Sequence, residues 1–230
     1  MSSKNRSNRR GTEQHHREVE YVLNSKFGME KVSPLTENQA KVFDLYDSGY
    51  NIINHGSAGT GKTFLSTYLA LKDIFEKKEY DKLIIVRSAV QTREQGFVPG
   101  TLKEKDALYE EPYIPLINQL FSRGDAYEIL KKKGMIEFTS TSNIRGLTWD
   151  NSIMLVDEVQ NMNYEELRTS ITRVGENSRI IFCGDTKQDD LKNSRNKNDV
   201  SGIEKFMEVL DSMDAVATVE FTSDDIVRSG

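Results

Sequence analysis

The stretch from Ile52 to Thr63 constrains the fold more than any other part of the chain. A short apolar run leads into the sequence Gly-Ser-Ala-Gly-Thr-Gly-Lys-Thr, and a helical pattern of apolar residues follows it. This spacing matches the phosphate-binding loop G-x-x-x-x-G-K-S/T, which joins a strand to the first turn of a helix. The pattern therefore predicts a nucleotide site, with a glycine-rich turn that holds no ligand as the alternative.

The chemistry of a bound phosphate explains the composition of this loop. Glycines leave room for backbone N–H groups to surround the anion, and the following helix directs its positive dipole end at it. We expect Lys62 to reach the β- and γ-phosphates and the Thr63 hydroxyl to ligate Mg²⁺. The residues expected to contact the nucleotide are Gly56, Ser57, Ala58, Gly59, Thr60, Gly61, Lys62, Thr63 and Phe64.

The rest of the chain alternates predicted strands with predicted helices. Apolar runs over residues 82–87, 152–158 and 179–184 are typical of buried parallel strands, and residues 50–54, 135–139 and 216–221 also predict strands. Helices are predicted over residues 36–47, 62–77, 101–108, 112–121, 126–132, 164–174 and 203–212. This order predicts a single doubly wound α/β domain, with a mostly parallel sheet and helices on both faces. Ligands of such domains bind at the carboxyl ends of the strands.

Charge is distributed unevenly along the chain. Residues 1–17 hold five Lys or Arg against one Glu, whereas the whole chain of 230 residues has a net charge of −5. A basic segment without periodicity predicts a flexible arm over residues 1–33, followed by a globular domain over residues 34–230. The arm is either a solvated tail or a nucleic-acid contact. The acidic remainder argues against a large non-specific DNA-binding face.

The composition also bears on where the protein works. Cys183 is the lone cysteine, which excludes an internal disulfide, and three histidines with one cysteine argue against a zinc site. No run approaches the roughly 18 apolar residues of a membrane helix. The first residues lack the apolar core of a signal peptide. We therefore expect a cytoplasmic protein without a membrane span.

Polar side chains end the predicted buried strands. Asp157 can hold Mg²⁺ through water, and the adjacent Glu158 can act as the general base that takes a proton from the attacking water. Asp185 and Gln188 follow the next strand, where they would position that water and sense the γ-phosphate. Taken one at a time, such residues are also ordinary strand-end charges and turn residues. Together with the phosphate loop they predict hydrolysis of a nucleoside triphosphate.

These segments carry a family resemblance. Residues 56–63, 156–161 and 184–188 resemble the nucleotide motifs of superfamily 1 helicases and, more closely, of the PhoH-like ATPases. Further similar segments are 87–91, 96–100, 104–105, 144–146, 172–175 and 225–228, in the family's order. The resemblance implies a single RecA-like P-loop NTPase domain, with the strand before Asp185 lying between the phosphate-loop strand and the Asp157 strand. Ser57 and Ser229 depart from the proline and histidine that are usual in the family. No segment resembles a KH-like or PIN-nuclease domain, so RNA cleavage is not expected.

The resemblance also implies roles for residues outside the loop. By analogy with the helicases, Gln39 would read adenine, although its place three residues after Thr36 also fits a helix capping box. The helicases take arginines that stabilise the transition state from a second RecA-like domain. This chain has one such domain, which implies a homo-oligomer, such as a hexameric ring, whose neighbouring subunit supplies the arginine. Arg228 is the first candidate, Arg173 the second and Arg145 the third, with surface salt bridges as the alternative role for each.

The expected function follows from these assignments. It is Mg²⁺-dependent ATP binding and hydrolysis by an oligomer, coupled to binding or unwinding of single-stranded RNA or DNA. The cationic segments 92–100 and 192–197 would either track a single strand or form a solvated surface. Two alternatives stay open: an ATP-gated switch for a protein partner, and a P-loop small-molecule kinase.

Overall fold

The computed structural model describes residues 27–88, 102–185 and 202–227. The strands are β1 (Asn51–Gly56), β2 (Lys82–Arg87), β3 (Ile136–Ser140), β4 (Ser152–Asp157), β5 (Arg179–Gly184) and β6 (Val216–Phe221). The α-helices are α1 (Glu37–Asp47), α2 (Lys62–Lys72), α3 (Leu102–Glu110), α4 (Tyr113–Leu120), α5 (Ala126–Lys132), α6 (Tyr164–Ile171) and α7 (Ile203–Leu210).

These strands form one sheet in the order β3-β2-β4-β5-β1-β6, and every neighbouring pair is parallel. The predicted α/β class with a parallel sheet is confirmed, and β5 lies between β1 and β4, as expected of a RecA-like P-loop NTPase domain. The register pairs His55 with Gly184 and Arg87 with Asp157. The phosphate loop and the strand-end carboxylates therefore share one edge of the sheet.

Successive strand residues point to opposite sides of the sheet, and the apolar ones form a core on each side. Helices cover both of these faces. Ile85 belongs to a core that is closed by α1, α2, α4 and α5. Ile84, the preceding residue, belongs to a second core that is closed by α6 and α7. Within the described ranges, no helix combines the length and apolar character needed to cross a membrane.

Most element boundaries lie within two residues of the prediction, and the differences include the following. β1 continues to Gly56 rather than ending at residue 54. The helix predicted over residues 62–77 is α-helical only to Lys72, and a π-helical turn over Asp73–Lys77 completes it. The helix predicted to reach residue 174 ends at Ile171, because the chain turns back there to pair with Trp149 next to β4.

Part of the segment assigned to the arm by the sequence analysis contacts the domain. Phe27 is 4% exposed, and its ring lies 4.8 Å from the ring of Phe121. Glu30 N–H donates to the Leu120 carbonyl oxygen at 2.7 Å, and Val32 lines a cavity at the sheet edge. Residues 27–33 therefore pack on the domain. A single aromatic residue carries no periodic signal, so the basic composition of the preceding segment dominated the prediction.

A buried arginine joins three elements at the amino end of the sheet. Arg179, which is 9% exposed, contacts the carboxylate of fully buried Asp73 at 3.4 Å. Its Nη2 also donates to the carbonyl oxygens of Tyr46 at 2.8 Å and Tyr50 at 2.6 Å. The guanidinium thus satisfies groups of α1, the π-helical turn and the segment before β1.

Replacing Arg179 by methionine is expected to lower the free energy of unfolding by about 3 kcal/mol, because a buried carboxylate loses a partner. Lys77 continues to pair with Asp73 at 2.9 Å, which limits the loss. Urea unfolding measures the effect. Arg168→Met serves as the matched control, since Arg168 forms an exposed pair with Glu165 worth about 0–1 kcal/mol. Equal effects of the two variants would contradict the prediction.

Candidate nucleotide site

The phosphate loop passes close to β6. Gly56 has a φ of +111°, and a Cβ at this position would lie 2.0 Å from the Phe221 carbonyl oxygen. Both the conformation and the lack of space therefore require glycine at position 56. The Val227 N–H donates to the Gly59 carbonyl oxygen at 3.1 Å, so the segment after β6 is attached to the loop.

Lys62 lies folded against the loop. Its Nζ donates to the carbonyl oxygens of Gly56 at 3.0 Å and Ser57 at 2.7 Å, and 8% of the residue is exposed. Burial lowers the pKa of Lys62, although the nearby carboxylates of Asp185 and Asp157 act in the opposite direction. The ammonium group is held beside the backbone of the loop, where it can exchange carbonyl oxygens for phosphate oxygens.

The structure brings the two predicted metal ligands into contact. Thr63 Oγ1 donates to Asp157 Oδ1 at 3.0 Å, although the residues are 94 positions apart. Thr63 lies in the first turn of α2 and Asp157 ends β4, so this contact depends on the order of the strands. A hydroxyl and a carboxylate are hard oxygen donors that suit Mg²⁺, which keeps several waters and takes further oxygens from phosphates. The donor set therefore fits the expected ion.

Asp157 has a second partner that sequence reasoning missed. The Tyr113 hydroxyl donates to Asp157 Oδ2 at 2.8 Å, and Tyr113 is 1% exposed. Burial raises the pKa of Tyr113 well above its usual range, and the Asp157 charge adds to the rise. The phenol therefore remains protonated and can donate. Tyr113 lies in an amphipathic helical pattern that predicts an ordinary core residue, so no local signal marks it.

Glu158 directly follows β4 in the left-handed region, with a φ of 56°. Such a backbone is uncommon for a residue with a side chain and occurs at functional sites. Burial and the neighbouring Asp157 raise the pKa of Glu158, while the charge of Arg87 opposes the rise. Arg87 is the register partner of Asp157, and sequence reasoning gave it no role.

Gln160 links the two carboxylate-bearing strand ends. Its Nε2 donates to Glu158 Oε2 at 2.6 Å, and its Oε1 accepts the Asp185 N–H at 3.0 Å. Gln160 is 3% exposed; its bond to Asp185 is buried, and its bond to Glu158 is partly buried. The orientation of Glu158 is thereby tied to the end of β5. The motif that contains Gln160 was noticed in the sequence, but no pattern indicated this bridge.

Gln39 holds the loop in place. Its Nε2 donates to the Thr60 carbonyl oxygen at 3.0 Å, and its Oε1 accepts the Leu35 N–H at 2.7 Å. Thr36 caps α1 as predicted, because its Oγ1 accepts the Gln39 N–H at 3.3 Å. In a complete capping box, the Gln39 side-chain oxygen would also accept the Thr36 N–H. It accepts the Leu35 N–H instead, so this half of the prediction is wrong.

A cavity of about 550 Å³ opens above these residues. Pockets for small ligands occupy about 300–1,000 Å³, so the volume is sufficient for a nucleotide. Polar groups of Lys62, Thr63, Asp157, Glu158 and Asp185 line one part of it. The remaining lining includes Val32, Leu35, Gln39, Leu116, Gln119 and Val227. The arrangement suits a ligand with a charged phosphate end and a flat apolar end.

Two predicted arginines lie away from this cavity. Arg173 follows α6 at the amino side of β4: its carbonyl oxygen accepts the Trp149 N–H at 3.1 Å, and its Nη1 donates to the Leu147 carbonyl oxygen at 3.1 Å. Arg145 is exposed in the connection between β3 and β4. Neither lines the cavity.

Several predicted residues lie outside the described part of the chain. These are Gln188, Arg228 and the cationic segments 92–100 and 192–197. Their roles stay predictions. Of the predicted loop residues, Ala58, Gly59, Thr60, Gly61, Lys62, Thr63 and Phe64 line the cavity. Gly56 and Ser57 supply the carbonyl oxygens that hold Lys62.

A large terminase and a helicase are among the solved structures that align with this chain. A large terminase from a thermophilic bacteriophage, in complex with ADP, aligns with a TM-score of 0.49 at 14% identity, over 86% of this chain and 48% of that one. The Pif1 helicase from Candida albicans aligns with a TM-score of 0.41 at 18% identity, over 83% of this chain and 41% of that one.

Sequence relatives are closer. A PhoH-like protein of Mycobacterium leprae is 34% identical over 201 residues, which are 86% of this chain and 55% of that protein. Protein PhoH of Escherichia coli is 32% identical over 199 residues, or 85% of this chain and 55% of that protein. The chain thus spans about half the length of the curated relatives it matches. A family model described as PhoH-like protein matches residues 31–230. With the phosphate loop and the strand order already described, these matches show that the chain belongs to the PhoH-like family.

Proposed function

We propose that this protein is a Mg²⁺-dependent ATPase. The observation that carries the proposal is the contact of Thr63 with Asp157 at 3.0 Å, beside Glu158. A phosphate-loop hydroxyl paired with a strand-end carboxylate is the arrangement by which P-loop NTPases hold Mg²⁺. The neighbouring carboxylate of Glu158 provides a base at the same edge.

Nucleotide binding is assigned to the loop and to Gln39. Backbone N–H groups of residues 58–63 and the Lys62 ammonium would hold the phosphates. Gln39 keeps one amide hydrogen and one Oε1 lone pair beyond its bonds to Thr60 and Leu35. These groups match adenine N7 and N6, whereas guanine presents an acceptor in place of the N6 donor. We therefore propose that ATP is preferred over GTP.

Hydrolysis is assigned to Glu158. Its carboxylate would accept a proton from the attacking water while Gln160 holds one of its oxygens. Mg²⁺ held at Thr63 and Asp157 would neutralise charge on the β- and γ-phosphate oxygens. Asp185, which lies at the end of β5 and lines the cavity, and Gln188 are proposed to orient the water.

The pH dependence of hydrolysis tests the role of Glu158. The raised pKa of Glu158 means that the base form is lost as the pH falls through a value above the ordinary one of about 4.3. We therefore expect kcat/KM, which reports the pKa of the free protein, to fall on the acid side with its midpoint above that value. ADP affinity measured over the same pH range separates this titration from weakened nucleotide binding. A rate that is flat down to the ordinary value would contradict the assignment.

Oligomerisation is proposed because the cavity lacks a described arginine. None of the arginines in residues 27–88, 102–185 and 202–227 lines it. A positive charge against the γ-phosphate contributes roughly 10³–10⁵ in rate in related reactions. We propose that a neighbouring copy supplies this charge, and that Arg228 is the residue.

The test of the function is hydrolysis of ATP and GTP with Mg²⁺, with and without single-stranded RNA and DNA. Molecular mass is measured on the same samples. Hydrolysis of ATP that single strands stimulate supports an ATPase coupled to nucleic acid. Hydrolysis indifferent to them favours a switch that acts on a protein partner. Absence of hydrolysis in an assembled oligomer would contradict the proposal, and a screen of phosphoryl acceptors would then test the kinase alternative.

A further inference from the structure

We propose that Tyr113 is a positioning residue for Mg²⁺, because its hydroxyl holds the Asp157 carboxylate in the orientation that metal binding requires. The inference rests on the proposed function, in which Asp157 holds the ion. Tyr113 itself is not a ligand. It begins α4, a helix that the sequence marks only as a packing element.

The geometry places a hydrogen-bond donor on each oxygen of the Asp157 carboxylate. Thr63 Oγ1 donates to Oδ1 at 3.0 Å, and the Tyr113 hydroxyl donates to Oδ2 at 2.8 Å. Two donors on opposite oxygens fix the rotation of the carboxylate about its bond to Cβ. Thr63 is an expected ligand of the ion, so Tyr113 is the partner whose only task at this site is orientation.

Burial increases the expected cost of losing the hydrogen bond from Tyr113 to Asp157. Tyr113 is 1% exposed and Asp157 is 5% exposed, so water cannot readily replace a lost hydroxyl. A hydrogen bond to a charged acceptor is stronger than one between neutral groups, and a buried acceptor left without its donor is costly. Outer partners that orient metal ligands typically change metal affinity or activity by about 10–100-fold when they are removed.

The position of α4 connects this contact to the rest of the cavity. Leu116 and Gln119, which follow Tyr113 on the same helix, line the cavity that receives the nucleotide. Ile117 and Leu120 are buried in the core beneath the helix. The helix that carries the Tyr113 hydroxyl is therefore packed into the core. The same helix lines the cavity and contacts the Asp157 carboxylate.

The ring of Tyr113 also packs in the core, 5.9 Å from the ring of Phe138, so the test must keep the ring and remove only the hydroxyl. Tyr113→Phe does this. Tyr127→Phe is a matched control, because Tyr127 is equally buried and donates its hydroxyl to another carboxylate, that of Glu110. Neither Tyr127 nor Glu110 lines the cavity.

The experiment measures binding of a fluorescent ATP analogue as Mg²⁺ is titrated, and again with the metal removed by EDTA. Tyr113→Phe is expected to raise the Mg²⁺ concentration for half-maximal tightening by about 10-fold or more. Affinity in EDTA should stay at the wild-type value. Tyr127→Phe should match wild type in both measurements, whatever its melting temperature.

Asp157→Asn separates failure of this inference from failure of the proposed function. If Asp157→Asn binds the analogue with an unchanged Mg²⁺ dependence, the ion is not held at Asp157 and the proposed function is wrong at this point. If Asp157→Asn abolishes the Mg²⁺ effect and Tyr113→Phe still matches wild type, the positioning role is wrong. A Tyr113→Phe protein whose affinity falls equally with and without Mg²⁺ has lost packing, which also overturns the inference.

Discussion

Replacing Glu158 by glutamine is expected to lower kcat for ATP hydrolysis by about 10²–10⁴ while ATP and Mg²⁺ still bind. Glutamine keeps the size of the side chain and its contact with Gln160 but cannot take a proton from water. The first measurement is release of inorganic phosphate at saturating ATP. The second is the affinity for ATP and Mg²⁺ in the absence of turnover.

Glu220→Gln is the matched control for this variant. Glu220 is exposed on β6 and does not line the cavity, so the same chemical change there should leave kcat at the wild-type value. A Glu158→Gln protein that hydrolyses ATP at the wild-type rate would remove Glu158 from the chemistry. Loss of ATP binding would instead show that Glu158 shapes the cavity.

Replacing Arg228 by alanine is expected to lower the hydrolysis rate by roughly 10³ or more, because the transition state loses a positive charge. Arg228 directly follows Val227, which lines the cavity and donates its N–H to Gly59 of the same subunit at 3.1 Å. This proximity also fits the alternative in which Arg228 acts within its own subunit. ATP affinity should change far less than the rate, since the charge acts mainly on the transition state.

Mixing two inactive proteins distinguishes supply by a neighbour from supply within one subunit. Glu158→Gln retains Arg228, and Arg228→Ala retains Glu158. If the arginine acts across an interface, mixed oligomers recover activity at some sites, whereas two cis-acting losses give no recovery. Arg173→Ala and Arg145→Ala belong in the same assay. A loss in either of them, with Arg228→Ala fully active, would move the role to that residue.

Local pattern was sufficient for most of the fold. The strands Arg179–Gly184 and Val216–Phe221 have the bounds that their apolar runs predict. The phosphate loop was evident because its glycines, Lys62 and Thr63 are contiguous and serve one ligand. Such contiguous runs can be recognised in a sequence, because burying a parallel strand or enclosing a phosphate requires particular residue types at adjacent positions. The family resemblance supplied the position of β5 between its neighbours.

The structure decided how these pieces meet. The contacts of Tyr113 with Asp157, of Gln160 with Asp185 and of Gln39 with Thr60 join residues that are 44, 25 and 21 positions apart. Each is a hydrogen bond from or to a side chain that joins two separate parts of the chain. Forming it requires no periodic pattern of residues, so the sequence gives no indication of it. The same holds for Phe27, which is buried against the distant residue Phe121. The sequence by itself determined the parallel sheet and the phosphate loop. The tertiary structure alone decided which buried donors hold the carboxylates, because hydrogen-bond geometry depends on the packing of distant helices.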